Sequence, residues 1–321
     1  MGHFETQDGS FWDSRCLKNG HTGWGNRLIH AYDQPLRLKV FGQLFARLNV
    51  PHFAALDFGC GVGDFTHLLG RSFVHVVGYD TSASAIQVAL RQNASTGITY
   101  VNSTDRLFTR SYDCVLAITV FQHITDNQEL VATLKEISTS LSPGGACIVM
   151  DAYFRRSKRD EYTYIRRYEE FLQLAEMSGL KRIESANFYH PSRRPTLRFI
   201  VYYLACRLEC MSEKLRERLI RGDRGLVNGL SPVKITIFGR TGTGLPPPGA
   251  FASPVGIFEK IRRWVYSSAA LRIRTHRLSS SFASSSKTSA VSYTTPVATS
   301  KSPTCGRVKL LHPVGDGTMG S

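Results

Sequence analysis

Two rhythms of apolar positions alternate along this chain. Short, nearly uninterrupted apolar runs at 53–58, 73–79, 98–101, 112–119 and 146–153 have the length and β-branched content of buried strands. Between them the spacing changes to that of helices. Leu36, Val40, Leu44 and Leu48, with Phe41 and Phe45 beside them, predict an amphipathic helix over 35–48 whose first turn Pro35 would open. A short helix is expected over 64–70, and Ser82 can cap another running to about 93. Asp126 and Glu129 make a capping box ahead of Leu130, Leu134, Ile137 and Leu141, and Ser142-Pro143-Gly144-Gly145 stops that helix. A helix over 168–178 ends at Gly179. Strands alternating with helices read as α/β with a parallel sheet. Further on, strands at 181–189 and 196–204 flank a short turn and predict an antiparallel hairpin, followed by a charged helix at 209–220 and a strand at 233–238.

Composition narrows the setting. Among 321 residues, 42% are hydrophobic, enough for a sizeable core. No apolar run approaches the roughly 20 residues of a membrane span. The longest, 199–206, suits a buried strand. The N-terminus lacks signal-peptide character, although Gly2 with Thr6 matches a minimal myristoylation pattern that also suits a plain solvated end. Seven cysteines without a Cys-x-x-Cys pair point to reduced core thiols, a cytoplasmic setting and no metal site. The net charge of +15 is unevenly spread: residues 1–204 hold 22 basic and 19 acidic side chains, whereas 205–321 hold 18 and 6. The basic excess therefore belongs to the last third, which argues against nucleic acid at the central site without excluding it. Residues 258–266 could form a basic amphipathic helix touching RNA or a membrane, or one packed on its own domain, the preferred reading. Residues 267–321 contain 20 Ser and Thr among 55, a composition that predicts disorder. The expected division is 1–50 lid and helix, 51–204 central domain, 205–266 basic extension and 267–321 tail.

The candidate chemistry sits where the first strand ends. Leu56-Asp57-Phe58-Gly59-Cys60-Gly61-Val62-Gly63-Asp64-Phe65 reads as strand, glycine-rich turn and helix start. Such glycines let the backbone approach a ligand closely, and a helix N-terminus favours a polar or anionic group. The spacing is G-x-G-x-G, unlike the G-x-G-x-x-G dinucleotide fingerprint. The second strand ends at Asp80, where a carboxylate can bind a ribose diol.

These residues resemble the first two motifs of the class I S-adenosylmethionine-dependent methyltransferases, and the likeness covers about the first two-thirds of the chain. The resemblance implies a doubly wound, mostly parallel seven-stranded sheet with one antiparallel hairpin, extended here by the basic C-terminal segment. It implies S-adenosylmethionine as cofactor, held around Asp57, Gly59, Gly61, Gly63, Asp80 and Thr119. Asp105 is the adenine-side choice, with Ser103 and Thr104 as rivals. Phe121-Gln122-His123-Ile124 resembles the loop that borders the methyl acceptor in small-molecule members of the family. Similar enzymes use an N-terminal segment as a lid, and 11–34, with Trp12, His21 and Trp24, fits that role better than a plug on the sheet edge.

For a catalytic base, His123 leads and His21 follows, with Tyr32 and Asp33 weaker; each histidine has a structural role as its alternative. Asp113 is expected to support a strand edge. The connection at 155–167 is expected to be a solvated loop rather than a pocket wall. The resulting expectation is methyl transfer to oxygen or nitrogen of a small acceptor such as a sugar, lipid-linked saccharide or secondary metabolite. The alternatives are RNA or protein methylation using the basic extension, a non-catalytic binding module, and a nicotinamide oxidoreductase, which the glycine spacing disfavours.

Overall fold

The computed structural model describes residues 9–190, 196–223 and 231–242. Helix α1 spans Gly9–Asn19 and α2 spans Arg27–Phe45. The alternation then begins: β1 (Ala54–Phe58), α3 (Asp64–Leu69), β2 (His75–Tyr79), α4 (Ala83–Gln92), β3 (Ile98–Val101), β4 (Tyr112–Ile118), α5 (Asn127–Ser140) and β5 (Leu141–Ala152). A small hairpin of β6 (Lys158–Arg159) and β7 (Tyr164–Ile165) follows, then α6 (Tyr168–Met177), β8 (Leu180–Phe188), α7 (Leu197–Arg207), α8 (Glu213–Gly222) and β9 (Val233–Arg240).

Seven strands form one sheet in the order β3-β2-β1-β4-β5-β9-β8. The first five pair in parallel, and β9 runs antiparallel to both β5 and β8. This is the α/β arrangement expected, with a correction to the hairpin's second strand. Residues 196–204 are helical: Thr196 caps α7 by accepting the Phe199 N–H at 3.1 Å, and Phe199 and Tyr202, three apart, are buried. A short apolar run does not distinguish strand from helix by itself. The strand beside β8 is instead β9, which lies inside the stretch set apart as a basic extension. The sheet thus runs past residue 204.

Alternation within each strand supplies two cores. Ile148 and Met150 of β5, with Ile235 and Ile237 of β9, pack on one face with Val40 and Leu44 of α2. Cys147, Val149 and Phe238 pack on the other with Leu130 and Leu134 of α5 and Phe171 of α6. Asp113 does brace the strand edge. One carboxylate oxygen accepts the Phe53 and Ala54 N–H groups at 2.9 and 3.0 Å, the other the Ser142 hydroxyl at 2.6 Å.

Helix α2 begins eight residues before Pro35, so that proline lies inside the helix rather than opening it. Asn26 makes the start, its side chain accepting from the Leu28 and Ile29 N–H groups. Burial of Tyr32, Leu36, Val40 and Leu44 along one face holds the helix through the missing donor. Gly2, the turn at 191–195, the break at 245–249, the basic stretch at 258–266 and the tail at 267–321 all lie outside the described residues.

Candidate active site

A cavity of about 350 Å³ opens at the carboxyl ends of β1, β2 and β4, within the size range of small-ligand sites. Its floor is the glycine turn. Gly59, Gly61 and Gly63 have φ of 78°, 54° and 87°. A Cβ on Gly59 would stand 2.4 Å from Val120 Cγ2, so glycine alone lets the turn lie against the loop after β4. The Gly59 and Cys60 N–H groups donate to the Tyr79 carbonyl at 2.7 and 2.8 Å, tying the turn to β2.

Asp80 completes the floor. Its carboxylate accepts the Gly61 N–H at 2.7 Å and the Ser82 N–H at 2.9 Å, one bond on each oxygen, which leaves acceptor capacity on both. Burial pushes its pKa up, and the two amide bonds oppose that shift. Asp57 lies beneath the turn, outside the cavity wall, where the Thr66 hydroxyl donates to it at 2.6 Å. Burial raises the Asp57 pKa to about 7. Gly61 and Gly63 also stay behind the lining, facing the Thr22 hydroxyl and the Tyr100 ring. The N-terminus of α3 takes no part in the cavity wall: Asp64 sits there, its carboxylate accepting from the Gln34 and Asn93 amides.

The loop after β4 forms one wall. Thr119 lines the cavity with φ 57°, a left-handed conformation that costs a β-branched residue on the order of 1–3 kcal/mol. Its N–H donates to the Met150 carbonyl at 2.6 Å. His123 also lines the cavity. Its Nδ1 is 2.9 Å from the Tyr162 carbonyl, which can only accept, so that nitrogen carries the proton and Nε2 presents a lone pair. The Gln122 amide lies 3.2 Å from Nε2. Burial and the Arg15 charge pull the His123 pKa below its ordinary value, against the raising effect of the Tyr162 carbonyl, so the ring is neutral near pH 7.

The roof comes from 9–24. Trp12 and Arg15 of α1 and Thr22, Gly23 and Trp24 of the following loop line the cavity. Asp13 pins α1 to the start of α4, accepting the Ser82 hydroxyl at 2.6 Å and the Ser84 N–H at 2.9 Å. Trp24 donates to Asp33 at 2.5 Å, and Asp33 pairs with Arg37 at 2.6 Å. The second base candidate lies off the cavity wall. His21 stacks on His30 with ring centroids 3.5 Å apart, and burial lowers the pKa of both, that of His30 to about 4. Tyr32 donates to Asp223 at 2.6 Å inside the core. Asp105 and Ser103 are exposed and Thr104 is half-buried, and none of them lines the cavity; the Asp105 N–H donates to the Ser103 hydroxyl at 3.0 Å.

Residues 155–161 of the 155–167 connection are exposed, as expected, but its second half joins the cavity wall. Thr163 lines the cavity, Tyr162 stacks on Phe11 at 4.2 Å, and Arg166 is buried, donating to the Phe121 and Ile124 carbonyls. Charged residues from Arg155 to Glu161 gave this stretch its solvated look; the buried Arg166 is satisfied by backbone oxygens, which sequence does not reveal. Arg15, Arg37 and Glu129 of the lining also went unmarked as site residues, whereas Gln122 belongs to the loop singled out after β4. Arg37 was hidden by the apolar periodicity of its helix, and only the nearby tryptophans hinted at the roof.

A family model described as a methyltransferase domain matches residues 33–188. Those residues form an S-adenosylmethionine-dependent methyltransferase domain. The ubiquinone biosynthesis O-methyltransferase of Coxiella burnetii is 25% identical over 199 residues, covering 54% of this chain and 82% of that relative. A solved S-adenosylmethionine-dependent methyltransferase from Leishmania major shares the fold with a TM-score of 0.51 and 16% identity, over 72% of this chain and 81% of that one. The methyltransferase uses S-adenosylmethionine, and its floor fits that group: a turn with no room for a Cβ beside a carboxylate with spare acceptor capacity. Among the described residues no cluster of histidine, cysteine and carboxylate side chains could hold a metal ion, and no helix is long and apolar enough to cross a membrane.

Proposed function

We propose that this methyltransferase acts on an oxygen or nitrogen atom of a small-molecule acceptor. The observation that carries the reading is the single cavity in which Asp80 and Gly59 form the floor and His123 and Thr119 the adjoining wall, under an aromatic roof. A cavity of about 350 Å³ under that roof is in the range of small-ligand sites. The O-methyltransferase relative favours oxygen.

In this reading Asp80 accepts from the ribose hydroxyls, and the Gly59 turn lies under the methionyl part. The bound cofactor supplies an activated methyl on a sulfonium, so the protein's own work is alignment, exclusion of water and removal of a proton. Trp12 and Trp24 exclude water. His123 takes the acceptor's proton at Nε2 once the Gln122 amide gives way, and Tyr162 fixes the tautomer through Nδ1. Asp57 supports the turn from below through Thr66.

Transfer of radiolabelled methyl into separated metabolite, lipid, RNA and protein fractions tests this directly. Label in the metabolite or lipid fraction is expected. Label confined to RNA or protein would overturn it, and no label in any fraction would leave a binding module.

A further inference from the structure

We propose that Arg15 forms a subsite for an oxyanion, a carboxylate or phosphate, carried on a flat aromatic body of the acceptor. The inference rests on the small-molecule reading above and names the acceptor's chemistry. Two arginines line the cavity. Arg37 is neutralised by Asp33 at 2.6 Å. Arg15 has no ion pair among the described residues, and its buried Nε has no hydrogen-bond partner there. The two cavity acids, Asp80 and Glu129, do not pair with it, and Asp13 on the same helix is engaged by Ser82 and Ser84.

The surroundings of Arg15 define the rest of the ligand. Its guanidinium carbon lies 6.0 Å from the Phe11 ring centre and 5.6 Å from that of Trp12. Trp12 meets His123 edge-on at 4.7 Å, and Phe11 stacks on Tyr162 at 4.2 Å. An unpaired planar cation in an aromatic collar is built to receive a bidentate oxyanion attached to a flat apolar group. Burial without a counter-ion pulls the Arg15 pKa below its ordinary value. Placement favours the acceptor over the cofactor's own carboxylate. Arg15 lies in the roof beside Trp12, which meets the His123 ring, and it precedes the matched residues 33–188 of the methyltransferase domain.

The test uses the full chain saturated with S-adenosylhomocysteine, titrated with benzoate, phenyl phosphate and neutral benzamide by ligand-observed NMR. At least one anion should bind tenfold or more tightly than benzamide, and Arg15→Gln should erase the difference. S-adenosylhomocysteine affinity measured by calorimetry should change less than threefold in the variant. Comparable binding of benzamide, or no binding of either anion, overturns the proposal. A tenfold loss of S-adenosylhomocysteine affinity also overturns it, because Arg15 would then serve the cofactor's carboxylate. Wild-type protein that fails to bind S-adenosylhomocysteine would count against the cofactor reading instead. Should Arg15→Gln not fold, Arg15→Lys keeps the charge without the fork, and a weakened anion preference is expected; an unchanged preference overturns the assignment.

Discussion

Asp80, in the proposed reading, would serve both backbone and ligand with one side chain. Its two oxygens collect amides from the turn after β1 and from the start of α4, so the carboxylate is positioned before any ligand arrives. Asp80→Ala should weaken S-adenosylhomocysteine binding tenfold or more, about 1.4 kcal/mol, measured by calorimetry; unchanged affinity would remove the carboxylate from the cofactor site. Gly59→Ala meets a different obstacle. An L-residue in the left-handed region costs about 1–2 kcal/mol, and the new methyl would stand against Val120. A lower melting temperature and weaker cofactor binding are expected together. His123 carries the chemistry of the proposal, so His123→Ala should lower the transfer rate about 100-fold with little change in cofactor affinity. Equal losses in both would make it a structural residue.

The element that gives the site its character is the roof. Helix α1 is held to α4 by Asp13, and the loop after it is held to α2 by Trp24 and Asp33. Between these anchors His21 and His30 lie ring on ring with neutral imidazoles. A histidine whose folded pKa is depressed binds its proton more readily in the unfolded chain, so its contribution to stability is complete above the ordinary pKa of about 6.5 and lost on acidification. With His30 at about 4, that loss spans pH 6.5 to 4. Asp57, raised to about 7, contributes with the opposite sign, and the clean measurement is therefore a difference. Melting temperature should fall more steeply from pH 7 to 5 in the wild type than in His30→Phe. Parallel curves would show that the stacked pair does not control the roof's stability.

For the whole molecule, β9 is decisive. It fills the place between β5 and β8 and contributes Ile235 and Ile237 to one core and Phe238 to the other. A chain ending at residue 204 should be insoluble, because β5 and β8 would each lose a full row of backbone partners. A chain ending at residue 242 should keep its cofactor affinity. Solubility and calorimetry of the two truncations check this; an active 1–204 fragment would show that β9 is dispensable.

What could be read from the residues follows how locally each feature is encoded. Strands β1 to β4, the capped helices, the glycine turn and the carboxylate after β2 all lie within one alternating stretch, where apolar periodicity and turn residues act between near neighbours. That stretch also carries the family and the cofactor. Residues 196–204 were harder, because the state of an apolar run depends on a distant partner, and the strand read at 233–238 carried no sign of its place in the sheet. Only the assembled sheet, with a slot open beside β5, seats β9 there and leaves α7 free to coil onto the core. The same holds for the site. Sequence determined the floor and marked 11–34 as its cover; the wall at Thr163 and the unpaired Arg15 depend on packing between segments far apart in the chain, and such contacts leave no local period to read.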